Sequence, residues 1–272
     1  MKTLILDGYN LFYRARFSGI KDGETTTVFN FFRGLRLLVE NLNCDEIFLV
    51  LEGYPKKRKE QFVEYKAQRI YDNSDNFKEQ RKKIVSLLQQ YFPIQIVKHA
   101  DYECDDIVAF LARTHEAKGN DVIVVSTDTD FIQLITDKIQ LYNPIKKEFL
   151  PKPDYDYVQW KALTGDSADN IDGFSGIGAK RAEAMCKDNT KLINFLNENN
   201  NRDKFNLNLD LIRFHSLPDD DISTIEYYSV TPKSNWDQLN KDFIDLKFYS
   251  LTNKTAWPKF TNTFQKYFKE VV

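Results

Sequence analysis

The sequence predicts an α/β fold with a mostly parallel sheet covered by helices on both faces, and three observations predict it. Four short runs, TLIL (3–6), EIFLVLE (46–52), IQIV (94–97) and DVIVV (121–125), are apolar along nearly their whole length, as strands buried on both faces must be. Helical patterns lie between them. TTVFNFFRGLRLLVENL (26–42) spaces Phe29, Phe32, Leu35 and Leu38 at three-residue steps, and CDDIVAFLARTHEAKG (104–119) carries Ile107, Val108 and Leu111 before Gly119 stops it. Strands alternating with helices imply crossover units, because parallel neighbours cannot be joined by a tight turn. Acids, finally, recur where the strands end.

From about residue 155 the pattern changes to short helices around a glycine-rich turn, DGFSGIG (172–178), with no clear strand until an aromatic-rich tail near 226–250. No internal repeat or low-complexity linker intervenes. Residues 1–155 and 156–272 are therefore expected to pack as one unit.

Composition narrows the function classes. The 272 residues, 42% of them apolar, suffice for a buried core. Cys44, Cys104 and Cys186 are far apart and lack CxxC or Cys/His spacing, which excludes a disulfide framework and a zinc site. The N-terminus MKTLILDGYNLF has too short an apolar run for a signal peptide. No later stretch approaches the roughly 18 apolar residues of a membrane span. A soluble protein of a reducing cytoplasm is expected, with no membrane partner. The net charge of −2 taken alone argues against a nucleic-acid partner.

The placement of the acids changes that reading. In an open parallel sheet, ligands bind beyond the carboxyl ends of the strands. Asp7 follows TLIL, Glu52 ends EIFLVLE, and Asp128 and Asp130 follow DVIVV; ADYECDD puts Glu103, Asp105 and Asp106 after IQIV at a helix start. TGDSADN adds Asp166 and Asp169. Singly, each reads as a helix cap or turn former. Jointly, like charges at one edge repel unless cations neutralise them. Ligands that are all oxygen select Mg²⁺ or Mn²⁺ over zinc or copper. Nine acids exceed the needs of one ion, and two metals about 4 Å apart suit phosphodiester hydrolysis. His99, His115 and His215 do not share ligand spacing and are expected to be structural or surface residues.

Removing those nine carboxylates from the net charge of −2 leaves the rest of the chain at +7. Much of the positive charge lies in PKKRKEQFVEYKAQR (55–69) and KEQRKK (78–83), with Phe62 and Tyr65 interleaved. Alone such a run is a solvated helix face; beside a metal site it reads as a phosphate-gripping surface. GFSGIGAKRAEAM (173–185) sets Gly176 and Gly178 before a helix opening with Ala179 and Lys180, so its backbone N–H groups and Lys180 and Arg181 can approach a phosphate. It is neither a dinucleotide fingerprint nor a P-loop. A helix, glycine turn and helix that hold the duplex backbone without reading bases account for it.

Together, LILDGYNLFYRA (4–15), EGYPKKRKEQFVEYKAQR (52–69), ECDDIVAFLA (103–112), STDTDFIQL (126–134), TGDSADNIDGFSGIGAKRA (164–182) and, more weakly, NLDLIRFHSLP (208–218) resemble the 5′-nuclease superfamily. These are the flap endonucleases and the 5′-3′ exonuclease domain attached to bacterial DNA polymerase I; the short chain is most similar to phage-encoded or small bacterial members. The resemblance implies a PIN-like core over 1–155 with a helical arch at about 54–90. A helix-three-turn-helix DNA-binding region and C-terminal tail would follow over 156–272.

The resemblance also implies a first metal site of Asp7, Glu52, Glu103 and Asp105, with Asp106 close by. A second would hold Asp128, Asp130, Asp166 and Asp169, with Asp128 and Asp130 counted as catalytic. Glu52 stands where many members have aspartate. Lys66 and Arg69 would orient the scissile phosphate, and Tyr65 would stack on a base near the cut. Arg14, Arg58, Ser175, Gly176, Gly178, Lys180 and Arg181 would complete the DNA contacts. K⁺ would sit on carbonyls around Ser175 and Ile177. The implied protein is a monomeric nuclease of replication or repair, working in a bacterial or phage-infected cytoplasm beside a DNA polymerase. It would need two Mg²⁺, with Mn²⁺ able to substitute, and cut nicked, gapped or 5′-flapped DNA and RNA primers annealed to DNA, leaving 5′-phosphates. Two other readings stay open: a PIN-type ribonuclease, and a non-catalytic protein that holds branched DNA.

Overall fold

The four apolar runs form β1 (Lys2–Asp7), β2 (Glu46–Val50), β3 (Gln95–Lys98) and β4 (Asp121–Val125), which lie parallel. β5 (Ile139–Asn143) continues the parallel ladder, β6 (Glu148–Phe149) closes that edge antiparallel, and β7 (Gly165–Asp166) and β8 (Ile171–Asp172) make a separate small hairpin. β9 (Glu226–Tyr228) pairs antiparallel with β3. Among the described residues the main sheet has the order β6-β5-β4-β1-β2-β3-β9. This computed structural model describes residues 1–18, 24–69, 74–228 and 234–268.

The helices are α1 (Gly8–Phe17), α2 (Thr26–Leu42), α3 (Lys56–Gln61), α4 (Asp75–Tyr91), α5 (Cys104–Ala117), α6 (Tyr157–Thr164), α7 (Ala179–Cys186), α8 (Asn189–Leu196), α9 (Asn201–Ile212), α10 (Asp219–Ser223), α11 (Trp236–Asp245), α12 (Tyr249–Thr252) and α13 (Ala256–Gln265). Strand side chains alternate between two apolar layers because successive Cβ atoms point to opposite faces. Leu4, Leu6, Ile47, Leu49, Ile123 and Val125 join one cluster with α2, α4, α11 and α13. Ile5, Phe48, Val50, Val122 and Val124 face α5 in the other. Asp7 continues the phase of Ile5, so the strand itself aims this acid at the start of α5.

Two expectations change in extent. The arch segment at 54–90 divides: α4 buries Phe77, Ile84, Leu87, Leu88 and Tyr91 in the main core, so from Asp75 onward it is a core helix. Residues 70–73 lie outside the described residues. Among the described residues the aromatic tail supplies the short β9 and then α11–α13, because Leu239, Phe243, Phe260 and Phe264 recur at helical spacing and bury against Phe32 and Phe92; residues 229–233 lie outside the described residues. These last helices pack on the core, whereas α6–α9 share a third cluster around Ala162, Ile177, Met185 and Leu211. β5 was not anticipated, since IQLYN is short and carries exposed Gln140.

Gly53, just past β2, lets two chain segments touch. A Cβ there would stand 2.0 Å from the His99 carbonyl oxygen and 2.2 Å from that of Tyr102. Backbone, not a flexible side chain, would have to move. We expect Gly53→Ala to lower unfolding free energy in urea by about 1–3 kcal/mol; a value within about 0.5 kcal/mol of the parent would show that the contact is looser than described.

Candidate metal centre and phosphate site

The carboxyl edge of the sheet gathers the predicted acids through strand register. Leu6 pairs with Val125 and Asp7 with Val50, which sets Ser126 beside Asp7 and Glu52 just beyond it. The Ser126 hydroxyl donates to Asp7 at 2.7 Å, and the Asn10 N–H caps the same carboxylate at 3.0 Å. Asn10 also ties down Thr127, accepting its N–H at 3.2 Å and donating to its hydroxyl at 2.6 Å. Asp128 is thereby fixed, and it caps the 3₁₀ turn Thr129–Leu134 by accepting from the Asp130 N–H at 2.9 Å. Glu103 is the N-cap residue of α5 and Asp105 lies in its first turn. Asp166 and Asp169 bracket the 3₁₀ turn Ser167–Asp169 between β7 and β8.

Mutual repulsion joins these acids into one group. Burial pushes Asp7 above the usual carboxylate range, and Asp128 adds to it. Asp105 is driven well above its ordinary value by burial and then by Asp128, Asp7 and Glu52. Glu52 is pushed up to about 7 by burial, then by Glu103. The Glu52 side chain is itself exposed to water at the mouth of this group. Asp130 is pushed up to about 6 by burial and by Asp128. Among the described residues, Asp130, Asp166 and Asp169 bring oxygens within 4.8 Å of one another. A divalent ion with oxygens at about 2.1 Å spans nearly that separation. An all-carboxylate set fits a hard cation, and Asp130, Asp166 and Asp169 are the residues best placed to hold one.

Protein cations thread the same group. Lys66, buried and in the left-handed backbone region at φ 56°, pairs with Glu103 and lies 3.6 Å from Asp169. A non-glycine residue there is strained, and its N–H to the Asp169 carbonyl (3.0 Å) helps hold it. Arg69 pairs with Asp169. Lys161 of α6 bridges Asp130 and Asp166, the latter at 2.7 Å. Burial would raise Asp166, but Lys161 outweighs it and holds that carboxyl below its ordinary value. Sequence reasoning missed Lys161, whose one signal is a cation in the otherwise uncharged YVQWKALT just before TGD.

The matches with known proteins follow this geometry. The model of the 5′-3′ exonuclease N-terminal resolvase-like domain matches residues 2–161. The 5′-3′ exonuclease of Aquifex aeolicus is 31% identical over 208 residues, 69% of this chain and 70% of that protein. The chain belongs to the 5′-3′ exonuclease family. DNA polymerase I of Bacillus subtilis is 32% identical over 68% of this chain, which covers only 23% of the polymerase. In fold, the flap endonuclease of bacteriophage T5, solved with DNA and metal ions, aligns at TM-score 0.66 and 19% identity over 98% of this chain and 99% of that one.

For this 5′-3′ exonuclease family member three residue assignments need correction. Asp106 was grouped with the metal acids, yet both its oxygens are taken: Arg58 binds it at 2.6 and 2.8 Å, and the His215 N–H at 2.8 Å. Arg58 was expected on DNA but is 3% exposed, bonded also to Glu103 and to the carbonyls of Leu211 and Arg213. It pins α3 to α5 and α9. Tyr65 was expected to stack on a base, but it is buried and its hydroxyl donates to Glu103 at 3.1 Å and Asp169 at 3.0 Å, joining the two acid groups. Arg14 is half-buried two turns into α1, and that burial lowers its pKa. Ser175, Gly176, Gly178, Lys180 and Arg181 are all exposed on the turn before α7, where Gly176 has φ 75°. No helix among the described residues is long and apolar enough to cross a membrane.

A carboxyl whose folded pKa is raised favours the fold when protonated, so its contribution is present below about 4.5 and lost as pH rises through about 7 for Glu52. Glu52→Gln removes that loss. The metal-free variant should therefore gain thermal stability relative to the metal-free parent between pH 5 and pH 8, with little difference at pH 4. A difference independent of pH would contradict the crowding of Glu52.

Proposed function

We propose that this chain hydrolyses phosphodiesters near the 5′ ends of nicked or flapped duplexes and leaves 5′-phosphates. Its membership of the 5′-3′ exonuclease family supports the reaction. The observation that carries the residue assignment is Lys66 and Arg69 lodged among the carboxylates, one contacting both acid groups.

Asp7, Glu52, Glu103 and Asp105 would hold one Mg²⁺, and Asp128, Asp130, Asp166 and Asp169 a second, with Mn²⁺ able to replace either. Such ions supply an activated water and charge neutralisation for the departing 3′-oxygen. Lys66 and Arg69 would grip the scissile phosphate: each already stands at the acid edge, and the phosphate would offer them an anion in place of Asp169. Tyr65 fixes the spacing of the two groups through its shared hydroxyl.

The duplex rests on the exposed turn at 173–182. Gly176 and Gly178 leave space there, the nearest atom to a Cβ at Gly176 being 3.9 Å away in Arg181 and none within 4 Å at Gly178. Their N–H groups, with Lys180 and Arg181, meet backbone phosphates without reading bases, and carbonyls of the same turn could hold K⁺. RNA primers on DNA are acceptable to recognition of this kind. Residues 1–155 serve as the catalytic core, α6–α9 as the duplex support, and a monomer suffices in the cytoplasm beside a polymerase.

The reading is tested by incubating end-labelled flapped, nicked and single-stranded DNA and single-stranded RNA with and without Mg²⁺. Flap and nick cleavage that needs the metal is expected, and cleavage of single-stranded RNA alone would point instead to a PIN-type ribonuclease. Asp128→Asn should abolish cutting while duplex affinity stays within a few fold; near-parent activity refutes its role. Lys66→Ala should lower the single-turnover rate by about 10²–10³-fold, chiefly in the chemical step and not in duplex binding.

A further inference from the structure

Asp166 and Asp169 stand on a very small support. β7 and β8 have two residues each, with Gly165 paired to Asp172 and Asp166 to Ile171. A hairpin of that size is marginal by itself, and a slip of one residue would turn the Asp166 side chain to the opposite face. Its register is fixed at the neck, where the chain leaves α6 and returns toward the glycine turn. A Cβ on Gly165 would stand 2.3 Å from the Gly173 nitrogen, and one on Gly173 2.2 Å from the Thr164 carbonyl oxygen, so the two arms touch through backbone. In the last turn of α6 the Gly165 N–H takes the Lys161 carbonyl and the Phe174 N–H takes that of Leu163, which leaves the Ala162 carbonyl for a side chain. Asn208 of α9 supplies it. Its side-chain amide donates to the Ala162 carbonyl at 2.9 Å and to the Asp172 carbonyl, at the end of β8, at 3.0 Å. One rigid amide thus spans both arms of the neck.

We infer that Asn208 is a positioning residue for the second ion, holding Asp166 and Asp169 where they share it with Asp130; the inference rests on the proposed nuclease function. Asn208 is 4% exposed, in the apolar cluster of Phe205, Leu211 and Ile212 of its own helix and Ala162 and Leu163 of α6. A buried amide costs free energy unless its donors are used, and here both N–H bonds close the neck. α6 packs against the 3₁₀ turn that carries Asp130, and the neck joins α6 to the hairpin that carries Asp166 and Asp169. The 4.8 Å within which the oxygens of the three acids lie is therefore set by how α6 holds the hairpin. Like charges at that distance push the hairpin outward. Asn208 opposes the displacement without touching ion or substrate.

Mn²⁺ binding to the DNA-free chain, followed by electron paramagnetic resonance, tests this apart from cleavage. Asn208→Leu keeps the bulk of the side chain and removes both donors. It should weaken about tenfold the Mn²⁺ site that Asp169→Asn also weakens, the loss expected for two hydrogen bonds, and leave the other site within about threefold. In single-turnover cleavage of flapped DNA the half-saturating Mn²⁺ should rise by the same factor, while the rate at saturating Mn²⁺ and duplex affinity in Ca²⁺ stay within about threefold of the parent. Asn208→Ala, which leaves room for water at the two carbonyls, should show the same selectivity in smaller degree. Leu211→Ala, also buried and three residues on in α9, removes packing from the same cluster; it should lower the melting temperature and shift neither Mn²⁺ site. Equal weakening of both sites, weakening of neither, or the same selectivity in Leu211→Ala overturns the inference. If the parent binds Mn²⁺ but cuts no DNA, the function fails while the Mn²⁺ titrations still decide the role of Asn208.

Discussion

Negative charge concentrated at one end of a parallel sheet is the constraint around which the rest of this structure is arranged. Carboxylates that are buried and crowded raise one another's pKa, and here that cost is visible at Asp7, Glu52, Asp105 and Asp130. The protein meets it with side-chain cations of its own, Lys66, Arg69 and Lys161, together with Arg58 on Glu103. Those same ammonium and guanidinium groups sit where a phosphate must arrive. One arrangement thus holds the acids together and prepares the grip on substrate.

Arg58 shows how the catalytic edge depends on packing farther away. Its guanidinium satisfies both Asp106 oxygens and one of Glu103, while its remaining donors reach the end of α9. A buried charge so fully paired is stable only while every partner stays in place. The α6–α9 unit, the first turn of α5 and α3 are consequently locked in one register. The separation between Glu103 and Asp169, which Tyr65 measures with its hydroxyl, follows from that lock.

Much of this was legible in the sequence. Continuous apolar runs revealed β1–β4, and a strand end followed by an acid revealed the edge, because both signals are local and periodic. The pairing inside the site was not legible. Asp106 and Asp105 are adjacent in sequence and chemically identical, but a helix turns successive residues about 100° apart, so one faces the acid edge and the other faces Arg58. Likewise a basic run does not say which cations turn inward: Arg58 and Lys66 are buried, whereas Lys59 and Lys82 are not. The extent of the arch failed for a related reason, since the apolar periodicity of α4 was read as part of a charged segment when its buried face belongs to the core.

The central claim is that these carboxylates are held close in order to share divalent cations, and calorimetric titration with Mn²⁺ in two buffers of different ionisation enthalpy tests it most directly. Ligands must lose their protons to bind, so acids whose pKa lies near 6 to 7 should release at least about one proton per molecule on Mn²⁺ binding at pH 6, and clearly fewer at pH 8. Binding without proton release at either pH, or none at millimolar Mn²⁺, would contradict it.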